Sequence, residues 1–557
     1  MEYSFDVIRD AWIPVQFNSG VHNVLSVRDV FKDALNIKCI SEPNVKYSYG
    51  IHNFLIALLA SAYSITDIDA KFDIMFGEGL DMSIFDKYIS ECESKRHNCF
   101  NLFGENPFYQ NIYAKYKLEK GKKLSVEDIE NLPVRKPAMI GKIALDYPSG
   151  NNSVHFTNDT LVGKSLDFVE CVKALLSYTL FQAGKDASNS AKGVNGGGNY
   201  PEYIMLKGQN LLHTLLLNIV SESTWRKRTG GILYKGNAAW ERDFDLVSKE
   251  EVSSVSMVEG LTFQNRFVLL TEPDASGRVS SLYFGPGRVF ITKDKVQSLW
   301  VQPNASYVLK DDLYVPLSMN SADDLWTDMG DFFKLNSSNN NVEMPLTVIE
   351  YLNMCSEYEE MKDFGYSINM NYNIYYISLE GGEGPPSAQG LYSNYFPMVL
   401  LKDEDLLSHF NSCIRASNAV GNALKTSLFV FSRKYPAVKK SEWFKKYNKK
   451  FYDVMRMEYV PKLLEDISGL YGLSFDAQTD KLLAILLEFK LSVRDLATSV
   501  CRDALLNDSY TGVRKFKTDS STNYKGYYGL ITSDIRSLGK TINGLLGIEQ
   551  KGGEEDV

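Results

Sequence analysis

The sequence is poor in cysteine and histidine for its length. Its 557 residues include seven cysteines and six histidines, all scattered. No two cysteines have C-x-x-C spacing, and none lies near a histidine at zinc-ligand spacing. Protease, hydrolase, P-loop and kinase motifs are also missing. We therefore expect no disulfide scaffold, no metal and no cofactor, and a reducing cytoplasm as the location. An enzyme whose catalytic residues converge only in space remains an alternative.

Long apolar runs are missing as well. The longest uncharged stretch, residues 47–66, contains His52, Asn53 and several serines, whereas a spanning helix needs about 20 mostly apolar residues. The N-terminus has neither a basic nor an apolar segment of the kind found in signal peptides. We therefore expect no membrane association, and we interpret 44–65 as a buried core helix.

Positive charge is scarce overall but concentrated in one place. The formal net charge is −9, from 60 basic and 69 acidic residues, yet residues 433–450 hold eight basic residues against one acid, Glu442. On a helix beginning near Ser441, Lys445, Lys449 and Arg456 share one stripe, while Phe444, Phe451 and Val454 can face a core. Such a stripe favours contact with phosphates. An ordinary solvated helix face is the alternative.

The hydrophobic pattern indicates an α+β fold with two parts. Up to about residue 400, helical segments at 44–65, 83–98 and 165–183, the last capped by Ser165, alternate with β-type runs. The runs are 203–206, 267–271, 289–292 and 372–378, after an opening hairpin in which Pro14 restricts the first strand to an edge. From 401 to 557 the amphipathic segments 404–433, 441–466, 476–506 and 531–546 predict a four-helix bundle.

Two loops stand out by composition. Residues 184–201 are rich in Gly, Ser, Asn and Ala, and such small side chains let a partner approach the backbone closely. Residues 365–373 read as a turn leading into a strand, with asparagines around Met370. Amides can contact base edges and methionine can wedge between base steps. A surface loop and a hairpin tip without partners are the alternatives.

Several ordered segments resemble one protein family, the large subunit (CasA) of the type I-E CRISPR surveillance complex. They are Ala11-Trp-Ile-Pro-Val15, the segment Phe100-Asn-Leu-Phe-Gly-Glu-Asn-Pro-Phe-Tyr-Gln110, Ser149-Gly-Asn-Asn152 with Phe156, and Gly196-Gly-Gly198 ahead of Pro201 and Gly208. Each motif is weak alone, but their order and spacing match over most of the chain.

The resemblance implies a noncatalytic subunit of an RNA-guided DNA-binding complex. Guide RNA would read the target by base pairing, and this subunit would check a short adjacent motif in duplex DNA through the minor groove. Implied partners are the guide RNA, double-stranded target DNA, the other Cascade subunits and a helicase-nuclease. A large subunit of another type I subtype is the alternative within this class.

The resemblance also implies roles for particular residues. Ser188, Asn189, Ser190, Ala191, Lys192 and Gly193 would form the minor-groove loop, Lys293 or Lys295 a lysine finger, and Asn369, Met370 and Asn371 a wedge. Asn151, Asn152 and Phe156 would contact the guide RNA and anchor the subunit. Lys445, Lys446, Lys449, Lys450 and Arg456 would bind the DNA backbone.

Overall fold

A computed structural model describes residues 3–117, 132–144, 165–181, 203–230, 234–242, 250–252, 255–290, 302–310, 313–316, 342–366, 371–380, 387–401, 403–434, 440–507 and 524–548. They form two compact units. The first holds the described residues up to 316, 342–366 and 372–394, and the second holds Asn371 and those from 395 onward. The first is mixed helix and sheet and the second mainly helical, so the α+β class with a C-terminal helical region is confirmed.

The strands lie in small sheets. They are β1 (Ile13–Phe17), β2 (His22–Leu25), β3 (Ile37–Ile40), β4 (Ala138–Met139), β5 (Tyr203–Leu206), β6 (Glu250–Val252), β7 (Arg266–Leu270), β8 (Ser281–Pro286), β9 (Arg288–Phe290), β10 (Tyr307–Lys310), β11 (Leu313–Pro316), β12 (Val342–Glu343), β13 (Asn371–Glu380) and β14 (Ser387–Pro397). The sheet orders are β2-β1-β3, β11-β10-β12, β14-β13-β5 and β4-β8-β7, and β6 pairs with β9 in parallel.

The helices alternate with these strands and then replace them. They are α1 (Val27–Lys32), α2 (Val45–Ala62), α3 (Ile68–Phe76), α4 (Met82–Lys95), α5 (Phe168–Phe181), α6 (Leu211–Leu217), α7 (Glu222–Thr229), α8 (Met257–Leu261), α9 (Leu346–Glu357), α10 (Glu404–Lys434), α11 (Lys440–Val454), α12 (Val460–Ser468), α13 (Phe475–Asn507) and α14 (Tyr524–Leu546). Short 3₁₀ turns occupy Ile112–Lys115, Ile140–Lys142, Ala239–Glu241, Glu359–Lys362 and Met398–Leu401.

The core of the first unit is built on α2, as its apolar sequence predicts. Almost the whole helix is buried, and the Asn44 side chain caps it by accepting from the N–H of Lys46. Gly50 faces the backbone of α5, where an added Cβ would come within 3.2 Å of Leu176 and Ser177. A glycine at this point therefore lets α2 and α5 pack backbone to backbone.

Two local predictions in the first unit are wrong. Asp167, not Ser165, caps α5, because its carboxylate accepts from the N–H of Glu170 at 2.8 Å. β1 is a central strand although it contains Pro14. The first residue pair between β1 and β3 is Val15 with Ile40, and just beyond it the N–H of Ser41 donates to the carbonyl of Pro14 at 2.8 Å. Pro14 therefore lies at the end of this ladder, where its missing N–H costs at most one terminal bond.

The second unit contains the predicted helices in their predicted order. α10, α13 and α14 pack on one another, and α11 with α12 packs across α10 and α13. The predicted segments 404–433, 476–506 and 531–546 fall within these helices, whereas α11 begins at Lys440, so Ser441 lies inside its first turn. Between α11 and α12 the chain makes a π turn at Met455–Tyr459. Pro461 follows this turn and cannot donate to a preceding carbonyl, which explains the change of helical geometry.

Candidate nucleic-acid interface

Most residues predicted to contact nucleic acid lie outside the described residues. These are Ser188, Asn189, Ser190, Ala191, Lys192 and Gly193 of the groove loop, Lys293 and Lys295, Asn151, Asn152 and Phe156, and Asn369 and Met370 of the wedge. The backbones of Asn371 and Lys445 are described, and so are Lys446, Lys449, Lys450 and Arg456 with their side chains. The structure therefore informs on the basic helix and on the chain segments that flank the loop and the wedge.

The basic helix α11 has a buried stripe and an exposed cationic face. Tyr447, Phe451 and Met455 recur every four residues and are 5%, 0% and 0% exposed. Phe451 was predicted to face the core, whereas Val454 is only half-buried. Because Tyr447, Phe451 and Met455 face the core, the side chains of Lys446, Lys449 and Lys450 face solvent. We call these three lysines, with the partly exposed Arg456, the basic face.

Acidic neighbours neutralise part of the basic face. Lys450 donates from Nζ to Asp503 of α13 at 2.7 Å, and Arg456 in the π turn donates to Asp453 at 2.9 Å. The Nζ of Lys446 also lies 5.0 Å from the ring centroid of Tyr447. A phosphate arriving here would compete with Asp503 for Lys450.

The strand that follows the predicted wedge is fixed in register. β13 begins at Asn371 and pairs antiparallel with β5, with Ile374 opposite Leu206 and Ile377 opposite Tyr203. The Asn218 side chain covers the other edge of β5: its Nδ2 donates to the carbonyl of Leu206 at 2.7 Å, and its Oδ1 accepts from the N–H of Leu206 at 3.0 Å. On this edge of β5 the carbonyl of Asn304 also accepts from the N–H of Ile204 at 2.7 Å, so the strand that pairs with β13 is bonded on both sides.

The opposite end of this strand pair is fixed at Tyr203, the first described residue after the predicted groove loop. Tyr203, the first residue of β5, is fully buried and stacks on Tyr49 with ring centroids 4.5 Å apart. Because the strands are antiparallel, Tyr203 lies beside Ile377, about 20 Å along β13 from Asn371.

Two histidines and two cysteines buried in the first unit are electrically neutral near pH 7. Burial lowers the pKa of both His52 and His213 to about 4, and it raises the pKa of Cys92 and Cys99 to about 12. Within the described ranges, no group of three or more His, Cys, Asp or Glu side chains has the arrangement of a metal site. No helix in the same ranges combines the length and apolarity needed to cross a membrane.

Sequence reasoning missed the residues that fix these segments, above all Asn218 and Tyr366. Asn218 closes the apolar run Leu-Leu-His-Thr-Leu-Leu-Leu of α6, and a polar residue in such a run indicates a buried hydrogen-bonding role. That feature was available in the sequence. No sequence feature indicated the role of Tyr366, because tyrosine is abundant in this chain and the hydrogen-bond partners of Tyr366 lie far away in sequence.

Comparison with solved structures places this architecture in one structural class. The chain matches the crystal structure of Thermobifida fusca Cse1 with a TM-score of 0.69 at 15% identity, covering 98% of each chain. It matches Thermus thermophilus CasA (Cse1) with a TM-score of 0.63 at 18% identity, covering 98% of this chain and 99% of the other. A chain of a CRISPR RNA-guided surveillance complex gives 0.65 at 14% identity, with coverage of 96% and 100%. At these identities the likeness establishes the fold.

The sequence itself identifies the family. The sequence model described as CRISPR-associated protein Cse1 matches residues 6–495, which is most of the chain. A search of the curated proteins returned no match. The chain therefore belongs to the Cse1 family, also called CasA, and the resemblance found from its motifs is confirmed.

Proposed function

We propose that this chain is the large subunit of a type I-E CRISPR RNA-guided surveillance complex and examines a short motif beside the target in duplex DNA. Membership of the Cse1 family supports the proposal, as does the likeness to a chain from a surveillance complex. Guide RNA reads the target by pairing, so the task left to this chain is to bind DNA and to help open it. The role is that of a noncatalytic, cytoplasmic binding subunit that later recruits a helicase-nuclease.

Each candidate segment has a distinct task in this proposal. The loop 188–193 approaches the minor groove, Lys293 or Lys295 enters it, and Asn369, Met370 and Asn371 separate the first base pairs. Asn151, Asn152 and Phe156 contact the guide RNA, where stacking of an unpaired base on Phe156 is worth about 1 to 3 kcal/mol. The minor groove presents a degenerate pattern, so we expect tolerance of several motifs.

The observation that carries the proposal is that both flanks of residues 367–370 are fixed. Tyr366 on one side is 2% exposed, and β13 on the other is paired in register with β5 from Ile374 to Ile377. Prising a base step apart costs a few kcal/mol. A short tip can offset this free energy only if the chain on either side of it stays in place. The two flanks are held in place by burial and by strand pairing.

The basic face supports a second contact with the same DNA. Lys446, Lys449 and Lys450 are exposed, and each phosphate contact displaces about one counterion. In a chain of net charge −9, a cluster of exposed lysines on one helix favours DNA at this helix over nonspecific binding elsewhere.

Replacing Asn369, Met370 and Asn371 by alanine tests the wedge. In the complex assembled with guide RNA, we expect the Kd for a motif-bearing duplex to rise about tenfold, since the lost contacts no longer offset base unstacking. Binding to the same target with the strands already separated is expected to stay within about twofold. Titration of both DNA forms with labelled target measures this difference.

Alanine replacements of Val21, His22 and Asn23 provide the matched control. These residues are exposed at the start of β2 in the first unit, and their replacement is expected to change neither binding constant. Equal loss on the duplex and on the separated strands in the wedge variant would refute the wedge role.

A further inference from the structure

Tyr366 sits at the centre of a chain of buried hydrogen bonds. Its hydroxyl lies 2.6 Å from Nδ1 of His213 and 2.9 Å from the backbone nitrogen of Gln209. The other ring nitrogen of His213, Nε2, lies 2.8 Å from the carbonyl oxygen of Met75 at the end of α3. These three hydrogen bonds therefore join three separate parts of the first unit: α3, the segment from β5 into α6, and the chain that leads into residues 367–370.

The direction of every bond in this chain follows from its ends. A carbonyl oxygen can only accept, so Nε2 of His213 carries the proton and donates to Met75. Nδ1 then has a lone pair and accepts from the hydroxyl of Tyr366. The hydroxyl oxygen in turn accepts from the N–H of Gln209. The hydroxyl of Tyr366 is thus used as donor and as acceptor, which fixes the side chain from two sides.

Further contacts hold the two residues before Tyr366. Phe364 stacks on Phe76 of α3 with centroids 4.0 Å apart, and its carbonyl accepts from Nε2 of Gln209 at 2.6 Å. Gly365 has φ +77°, and a Cβ there would lie 2.7 Å from Nε2 of Gln209. Only glycine adopts this conformation in this space without strain, so the chain turns sharply and tightly just before Tyr366.

We infer that Tyr366 is a positioning residue for DNA opening: by its bonds to His213 and Gln209 it anchors the chain at the base of the wedge. The inference rests on the proposed function, because it gives the anchor a purpose only if Asn369, Met370 and Asn371 act on DNA. If the chain at Tyr366 could move, residues 369–371 would be displaced when they meet a closed base pair, and the base pair would stay closed. DNA whose strands are already separated does not oppose these residues, so the anchor has no effect on its binding.

The Tyr366→Phe variant tests the anchor, since it removes one oxygen atom and keeps the ring. In the assembled complex we expect the Kd for motif-bearing duplex to rise about fivefold, which corresponds to the loss of one net hydrogen bond. The Kd for the pre-separated target is expected to be unchanged. The readout is the ratio of the two constants, which a uniform loss of folded protein does not alter.

Tyr234→Phe is the matched control for buried-hydroxyl loss. The single hydroxyl proton of Tyr234 is shared between the carbonyls of Ile65 and Val220, at O···O distances of 2.9 and 2.5 Å in the same unit, and it has no part in the anchor. This variant is expected to lower thermal stability as Tyr366→Phe does, and to leave the ratio of binding constants at the wild-type value. An equal ratio in the two variants would overturn the inference.

Gln209→Ala keeps the test decisive if Tyr366→Phe folds poorly. Gln209 is exposed, so its side chain is removed without opening the core, while the bond to Phe364 is lost. We expect a smaller change of the ratio in the same direction, and a wild-type ratio would count against the anchor. If the triple alanine variant of Asn369, Met370 and Asn371 has no effect on the ratio, the proposed function is contradicted. If that variant changes the ratio while Tyr366→Phe and Gln209→Ala keep the wild-type value, only the anchor is contradicted.

Discussion

Two buried histidines make the first unit sensitive to acid. Burial lowers the pKa of His52 and of His213 from 6.5 to about 4. In the unfolded chain both titrate near their ordinary value, so between pH 6.5 and 4 the unfolded state binds protons that the folded state does not. Stability is therefore complete above pH 6.5 and falls as the pH drops through this window, by about 3 kcal/mol for each histidine.

Fluorescence of the buried Trp12, Trp225 and Trp240 can follow the thermal transition of this unit. From pH 7 to 5 we expect the midpoint to fall by roughly 3 to 6 °C. The variant His52→Gln loses one titrating group and is expected to show about half of this fall. A midpoint that does not move over this range would show that the two imidazoles are not held neutral by the fold.

At single residues, the sequence predicts burial better than it predicts partners. The buried position of Phe451 follows from helical periodicity. By contrast, Lys71 and Glu350 are both fully buried and bonded at 2.8 Å, although 279 positions separate them. Burial alone would raise the pKa of Glu350, but Lys71, Thr224 and Ser221 hold it below its ordinary value. No local pattern marks such a pair, because tertiary packing alone creates it.

Among elements, the basic helix α11 gives the sharpest test of DNA contact. Replacing Lys445, Lys446, Lys449 and Lys450 by glutamate is expected to weaken binding to all DNA sequences and to flatten its salt dependence by about two to three counterions. Asp503→Asn is expected to act in the opposite direction. It frees Lys450 for phosphate and strengthens binding up to about fivefold, because exposed pairs are worth at most about 1 kcal/mol. Affinity measured from low to high salt gives both slopes.

Each of these variants has a control with the same change of charge. Lys32, Lys38, Lys87 and Lys95 are exposed in the first unit, and their reversal to glutamate alters the net charge equally. Asp495→Asn removes a carboxylate that pairs with Arg494 on α13 at 2.8 Å. An unchanged salt slope after reversal in α11, or the same slope in both sets, would make the basic face an ordinary solvated surface.

Long periodic elements were predictable, and their ends were not. Repeating apolar positions over many turns specify α10, α13 and α14, and β-branched or aromatic runs specify β5, β7 and β13. The cap of α5 and the central position of β1 depend on which polar group or strand happens to lie nearby. The π turn at Met455–Tyr459 likewise reflects Pro461 acting inside an otherwise helical pattern.

At the scale of the molecule, fold and site differ in how far sequence determines them. Ordered motifs over most of the chain were enough to identify the family, because many weak constraints add along a sequence. The anchor at Tyr366 needs contributions from α3, from the segment joining β5 to α6, and from residues 364–366. Their convergence is a product of the complete first unit and has no counterpart in any single segment.

The proposed motif check is a property of the assembled complex, so its test uses the complex with and without this chain. Both forms of the complex, each assembled with guide RNA, are incubated with DNA that carries the matched target beside randomised base pairs. The bound DNA is then sequenced. With the chain present we expect enrichment confined to a few adjacent positions, tolerant of A·T against T·A exchange because the minor groove presents both alike. Without it, the adjacent positions are expected to stay random while the target itself is still bound through base pairing.

Enrichment that persists without the chain would assign motif reading to another subunit. A strict preference between A·T and T·A would point to the major groove, where the two base pairs present different donors and acceptors.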